Sequence, residues 1–130
     1  MNDQDLDRLR NQLLKNRKEI LDRVRRLETD VESLQEIQSE LEEEAQKLEL
    51  SRLYGRLGNQ EREEIEAIEL ALNKLDSGKF GRCEECGEPI PLKRLQVLPW
   101  ARLCRQDAEE MEKTGRRLPP AREVVISELP

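Results

Sequence analysis

An apolar residue stands at every seventh position from Leu6 through Leu13, Ile20, Leu27, Leu34 and Leu41 to Leu48. No Gly or Pro falls before Gly55. A seven-residue repeat of this kind keeps one row of side chains on one helix face, and that face needs a partner helix to bury it. Val24, Val31 and Ala45 fill the second seam position, but Arg10, Arg17 and Gln38 share it, so half of the seam is strong and half is patchy. A second stripe, Ile65, Ile68, Leu72 and Leu75, recurs at 3-4-3 spacing and stops at Asp76-Ser77-Gly78, a sequence suited to ending a helix. Asp3 or Asp5 is positioned to cap the first helix. With 40% charged residues and one each of Trp, Tyr and Phe, the chain lacks the bulk for a large globular core. Long helices packed on one another satisfy both facts.

The turn between the helices has two readings. Gly55-Arg56-Leu57-Gly58-Asn59 is the strongest local breaker and gives unequal arms. A turn near residues 40–45 gives matched arms on the order of 50 Å long and places two glycines in the second arm, at about 1 kcal/mol each. Local signals weigh the two equally.

Charge is unevenly placed. Residues 31–50 hold seven Glu and one Lys, which accounts for the whole net charge of −6, while the segments on either side are nearly balanced. Generic or sequence-specific DNA binding needs a surplus of Lys and Arg facing phosphate, and the chain has none. No apolar run is long enough to span a membrane and no secretory signal opens the chain, so a cytoplasmic protein is expected.

Residues 80–107 change character. Cys83-x2-Cys86-x17-Cys104-x2-Asp107 has the spacing of a four-ligand zinc site with the last ligand altered, and Gly87 suits the tight turn after the first pair. Zinc, one ion per chain, is the expected cofactor. Cys83, Cys86 and Cys104 are the sulfur ligands, and the fourth position belongs to the Asp107 carboxylate or to water. A metal-free module packed around Phe80, Leu95, Leu98 and Trp100 is the alternative. The chain has no His, and catalytic zinc needs an open position with a base nearby, so a structural ion and a non-enzymatic protein are expected. Residues 105–114 read as a helix through Ala108 and Met111, and 116–130 as an extended or mobile tail in which Val124-Val125-Ile126 could add a short strand.

Phe80-Gly81-Arg82-Cys83-Glu84-Glu85-Cys86-Gly87-Glu88-Pro89-Ile90, followed by Arg94-Leu95, Pro99 and Leu103-Cys104, resembles the zinc-finger signature of the DksA/TraR family of bacterial transcription regulators. The likeness is specific over about residues 75–107, and the long helices extend it back to roughly residue 10. It implies a coiled-coil hairpin whose tip enters the secondary channel of RNA polymerase. The family's tip motif resembles Asp-x-x-Asp-x-Ala, and the family's spacing back from Cys83 lands on Glu40-Leu41-Glu42-Glu43-Glu44-Ala45. The resemblance thus selects the turn at 40–45, with Gly55 and Gly58 inside the second arm. It assigns the tip to Glu40, Leu41, Glu43 and Ala45, with each Asp one methylene longer. Arg56 and Arg94 fall where relatives carry basic residues and are carried over as polymerase contacts. Asp107 stands where the family has its fourth Cys.

The expected fold is mostly α. A long antiparallel coiled-coil hairpin (1–78, tip near 40–45) is followed by a small zinc-finger-like module with a short C-terminal helix (79–115) and the tail (116–130). The expected function is regulation of transcription by direct contact with RNA polymerase, as a monomer, with an alarmone nucleotide as the co-effector the resemblance implies. The rival readings are a structural or adaptor coiled coil that uses its seam to dimerise, and a redox sensor acting through the three cysteines.

Overall fold

The computed structural model of the chain describes residues 1–26, 52, 53 and 55–128. Among these the architecture is helical: α1 (Asp3–Arg26), α2 (Asn59–Ser77), α3 (Leu92–Val97), α4 (Arg105–Thr114) and α5 (Ala121–Glu128). The one pairing of extended backbone among the described residues is an isolated antiparallel bridge between Arg82 and Pro89. The mostly helical class expected above is the one observed. Glu40, Leu41, Glu43 and Ala45 lie outside the described residues, as do Leu27, Val31, Leu34, Gln38 and Leu48 of the repeat.

The cap of α1 is Asn2 rather than either aspartate. Its side-chain oxygen accepts from Asp5 N at 2.8 Å, and the Asp5 carboxylate accepts in return from Asn2 N at 3.3 Å. This reciprocal box satisfies two backbone donors at once, which an aspartate cap alone would not do.

α1 packs along α2 through Leu13, Ile20, Leu21 and Val24 on one side and Ile65, Ile68 and Ala71 on the other. Among the described residues, the two arginines of the patchy half of the seam form ion pairs. Arg10 reaches Asp76 at 2.8 Å and Arg17 reaches Glu69 at 3.5 Å. Seven residues forward in α1 match seven residues back in α2, so the helices are antiparallel. Both pairs are partly exposed and stabilise little, but they oppose slippage of one helix along the other.

Of the two glycines, Gly55 is helical and Gly58 interrupts the second arm. Gly58 is extended (φ −67°, ψ 167°) at the cap position of α2, and Arg62 N closes the first turn on its carbonyl at 2.9 Å. The helix therefore begins at Asn59. Leu53 and Leu57, ahead of the break, are nevertheless buried in the same core as Leu13 and Ile20. The C-terminal stop falls where the sequence placed it. Gly78 takes the left-handed conformation (φ 74°), and Lys79 N returns to Lys74 O at 2.9 Å.

α2 has a second buried face, which the 3-4-3 stripe does not contain. Leu70 and Lys74 are buried, and with Ala67 they turn toward Trp100 and Arg102 of the cysteine module. α1 also reaches that module, where Leu9 joins Cys83, Ile90 and Leu95 in a separate apolar cluster.

The tail departs from expectation. Residues 121–128 form α5, packed on α2, and neither a strand through Val124-Val125-Ile126 nor an extended tail is present there. Pro119-Pro120 acts as a start signal and not only as a break. The Pro120 carbonyl accepts from Glu123 N at 3.0 Å and Val124 N at 3.4 Å, and proline before a first turn sacrifices no helical donor. Burial of Ala121 against the body outweighs the weak helix preference of the β-branched residues.

Leu13 has no solvent exposure at the centre of the α1–α2 interface. Leu13→Ala is expected to destabilise the chain by about 3 kcal/mol, within the range for fully buried leucines. Urea unfolding followed by far-UV circular dichroism checks this; a loss under about 1 kcal/mol would mean that the interface is not closed in solution.

Candidate metal centre

The first cysteine pair sits on a tight reverse turn. Cys83 N donates to Glu88 O at 2.9 Å, Gly87 N to Cys83 O at 3.0 Å, and Ile90 N to Gly81 O at 2.7 Å. Gly87 closes this turn with φ 75°, a conformation that a side chain would strain. The second pair is built differently. Cys104 caps α4, its Sγ accepting from Asp107 N at 3.5 Å, and this puts Asp107 in the first helical turn. A carboxylate there is favoured by the helix dipole.

The two turns bring together the four residues that the spacing singled out. The ligand atoms of Cys83, Cys86, Cys104 and Asp107 all lie within 4.8 Å of one another. Asp107 Oδ2 accepts from Cys83 Sγ at 3.1 Å and from Cys104 Sγ at 3.3 Å. Around zinc, with bonds of about 2.3 Å to sulfur and 2.1 Å to oxygen, a tetrahedral O···S edge would be about 3.6 Å. The donor set fits that ion with small adjustments, and these four side chains would hold it. Zinc bound here would supply structural cross-linking of two chain segments separated by α3.

Thiol-to-carboxylate hydrogen bonds link the cluster, and its titration reflects this. A backbone hydrogen bond at Glu88 favours the Cys86 thiolate, but the Asp107 carboxylate and the neighbouring thiols outweigh it and push the Cys86 pKa up to about 12. The thiols of Cys83, Cys86 and Cys104, in that order, hold the Asp107 carboxyl below its ordinary value. Metal uptake therefore displaces thiol protons.

A charged junction lies directly beside the cluster. Glu84, between the first two cysteines, accepts from Lys74 Nζ at 3.1 Å, from Arg102 Nε at 2.6 Å and from Arg102 Nη2 at 3.0 Å. Burial alone would raise the Glu84 pKa, but the hydrogen bond from Arg102 and the charges of Lys74 and Arg102 prevail and lower it. Sequence reasoning missed this junction. The available signal was the single Lys on the inner face of α2, which needs a partner.

Arg94 and Arg56 have separate places. Arg94, half-buried on α3, donates through Nε to Leu103 O at 3.0 Å and braces the approach to Cys104. Arg56 is exposed just before the start of α2.

The prokaryotic dksA/traR C4-type zinc-finger family matches residues 78–106, ending one residue short of Asp107. The RNA polymerase-binding transcription factor DksA of Caulobacter vibrioides is 32% identical over 116 residues, 89% of this chain and 82% of that protein. The chain belongs to the DksA/TraR family. An uncharacterized protein of Aquifex aeolicus is 35% identical over 123 residues, 92% of this chain and 85% of its own length. Among solved structures, transcription factor DksA2 from Pseudomonas aeruginosa matches with a TM-score of 0.59 and 33% identity, covering 90% of each chain. Within a DksA/TraR finger described as C4-type, the carboxylate of Asp107 stands in the cluster beside only three cysteines, and that is the chemical departure of this member.

Two outcomes follow for the site. Partners of metal ligands are typically worth 10–100-fold in affinity, so loss of a ligand itself should weaken zinc binding at least about tenfold. Asp107→Ala is expected to do so and Asp107→Cys to tighten binding, measured by competition with a chromophoric chelator; an unchanged affinity in Asp107→Ala would exclude the carboxylate as a ligand. Glu84→Gln should lower stability at neutral pH by about 2 kcal/mol, the scale of hydrogen bonds to charged groups. Because the folded pKa of Glu84 is lowered, its contribution is complete above the ordinary carboxylate range and is lost as pH falls through the folded value. The denaturation midpoints of wild type and Glu84→Gln should therefore converge on acidification.

Proposed function

We propose that the chain regulates transcription by binding RNA polymerase directly, without recognising a DNA sequence. The observation that carries the reading is the 32% identity to a polymerase-binding DksA over 82% of that protein. In this reading the arms α1 and α2 carry an acidic tip, Glu40, Leu41, Glu43 and Ala45, through the secondary channel toward the polymerase active site. Carboxylates on a narrow tip can approach a catalytic Mg²⁺ or a basic loop that a bulky domain cannot reach.

The pairing of the arms supports this placement. Arg10 with Asp76 and Arg17 with Glu69 define a register which, carried on unchanged, brings the two arms together near residue 43. The six surplus negative charges of the chain fall in the same stretch, residues 31–50. The finger fixes the angle at which the arms leave the body, and an alarmone nucleotide acts as co-effector. The packing of α1 on α2 weighs against the adaptor reading, since the seam from Leu13 to Val24 is occupied by the chain itself.

The test is multi-round transcription with cognate polymerase on a ribosomal RNA promoter and an amino-acid biosynthesis promoter. Wild type should change output at one or both, and Glu40→Ala/Glu43→Ala should lose about tenfold of that effect, equivalent to about 1.4 kcal/mol. No response to folded wild-type protein would reject polymerase regulation. A response retained in the double variant would reject the acidic tip.

A further inference from the structure

An open cavity of about 710 Å³ lies between α2, α4 and the chain that follows α4. Cavities of roughly 300–1,000 Å³ are the size that small ligands occupy. α2 lines it with Glu63, Glu66 and Ala67, and α4 with Ala108, Met111 and Glu112. Both sets follow i, i+3, i+4 spacing, so each helix turns one short face, part apolar and part carboxylate, toward the same space. The third side is the segment from Gly115 to Leu118, which adds Arg117 and the half-buried Leu118.

The charges around this cavity are unequally engaged. Arg102 and Arg116 also line it, but they are held by Glu84 and Glu85. Among the described residues, Glu63, Glu66, Glu112 and Arg117 have no hydrogen-bond or ion-pair partner. Three uncommitted carboxylates and one uncommitted guanidinium therefore border a space whose floor is apolar, with Met111 buried beneath it. Glu63 and Glu66 stand one turn apart on α2, a spacing at which like charges repel. A polyphosphate entering here would meet carboxylates from two helices. Ammonium groups would relieve that repulsion.

We propose that this cavity binds a short free peptide with a basic amino end and an apolar body. Its ammonium groups lie on Glu63, Glu66 and Glu112, its side chains on Met111 and Leu118, and its carboxylate on Arg117. A peptide that begins with lysine brings two ammonium groups for the glutamates and one carboxylate for the guanidinium. The size agrees: a sphere of 710 Å³ is about 11 Å across, and three extended residues span about 10 Å. The proposal is independent of the metal centre and of polymerase.

Isothermal titration of the full chain with the tripeptide Lys-Leu-Leu tests it. Wild type should bind with a Kd tighter than about 1 mM. Acetylating the amino end, or converting the carboxyl end to an amide, should each weaken binding by about tenfold or more, the scale of hydrogen bonds to charged groups. Glu66→Gln and Arg117→Gln should each weaken binding of the free peptide by about tenfold as well. Arg117→Gln should nevertheless bind the amide as well as wild type does, because the group that Arg117 contacts is already gone.

A wild-type Kd weaker than about 1 mM overturns the proposal. So does equal affinity for the free peptide and either blocked form, which marks apolar contact without charge recognition at that end. Tighter binding of inorganic pyrophosphate than of the peptide also overturns it, since that outcome marks an anion site. The blocked peptides are read on wild-type protein, so the test holds even where a variant fails to fold.

Discussion

The Glu84 carboxylate is the point on which the described structure turns. Lys74, in the last turn of α2, is buried, and a buried ammonium without a counter-charge is strongly destabilising. Glu84 provides that charge from inside the first cysteine turn, and Arg102, from the segment leading to the second, binds the same carboxylate by two prongs. Three chain segments far apart in sequence are thereby held around one carboxyl group. Apolar residues of similar volume could stabilise such a junction as well, but they would not demand one arrangement. Here an alternative docking of the finger would strand a charge, and that penalty selects the observed arrangement.

Around this junction α2 serves as the shared wall. One face takes α1 through Ile65 and Ile68, another takes the finger through Leu70 and Lys74, and α5 covers part of the remainder. A chain with so few aromatic side chains compensates by using a single helix three times over. The finger itself is short of apolar bulk, and Leu9 from the first helix completes its small cluster with Ile90 and Leu95. Two small cores joined at Phe80, which touches both, replace the large one that the composition rules out.

What could be read from the sequence was whatever repeats or is spaced by chemistry. The stripe of Ile65, Ile68, Leu72 and Leu75 was legible because a single helix face is periodic, and the stop at Gly78 because the left-handed cap favours glycine. Cys83, Cys86, Cys104 and Asp107 were legible because ligand spacing is set by the size of the ion. The second face of α2 was not, since Leu70 and Lys74 break the stripe and make sense only against a finger that packs there. The role of Arg10 and Arg17 was hidden for a similar reason. They look like defects in a seam until Asp76 and Glu69 face them. α5 was missed because its β-branched residues and paired prolines argue locally for extended chain, and tertiary burial at Ala121 overrides that argument. Arg94 shows how a basic residue can be committed to a carbonyl inside its own module, a bond with no signature in sequence.

The burial of Lys74 at the finger end of α2 has a mechanical consequence. α2 contains 19 residues and is therefore about 28 Å long. It is clamped at one end by a charged junction, and toward the other it is packed on α1 through Ile65 and Ile68. Such a helix is a lever with its fulcrum at Glu84. A rotation of roughly five degrees at the fulcrum displaces Asn59, about 22 Å from Lys74 along the helix, by about 2 Å. Small changes in the geometry of the finger are thus magnified along the arm, and a load on the arm is felt at the fulcrum as torque.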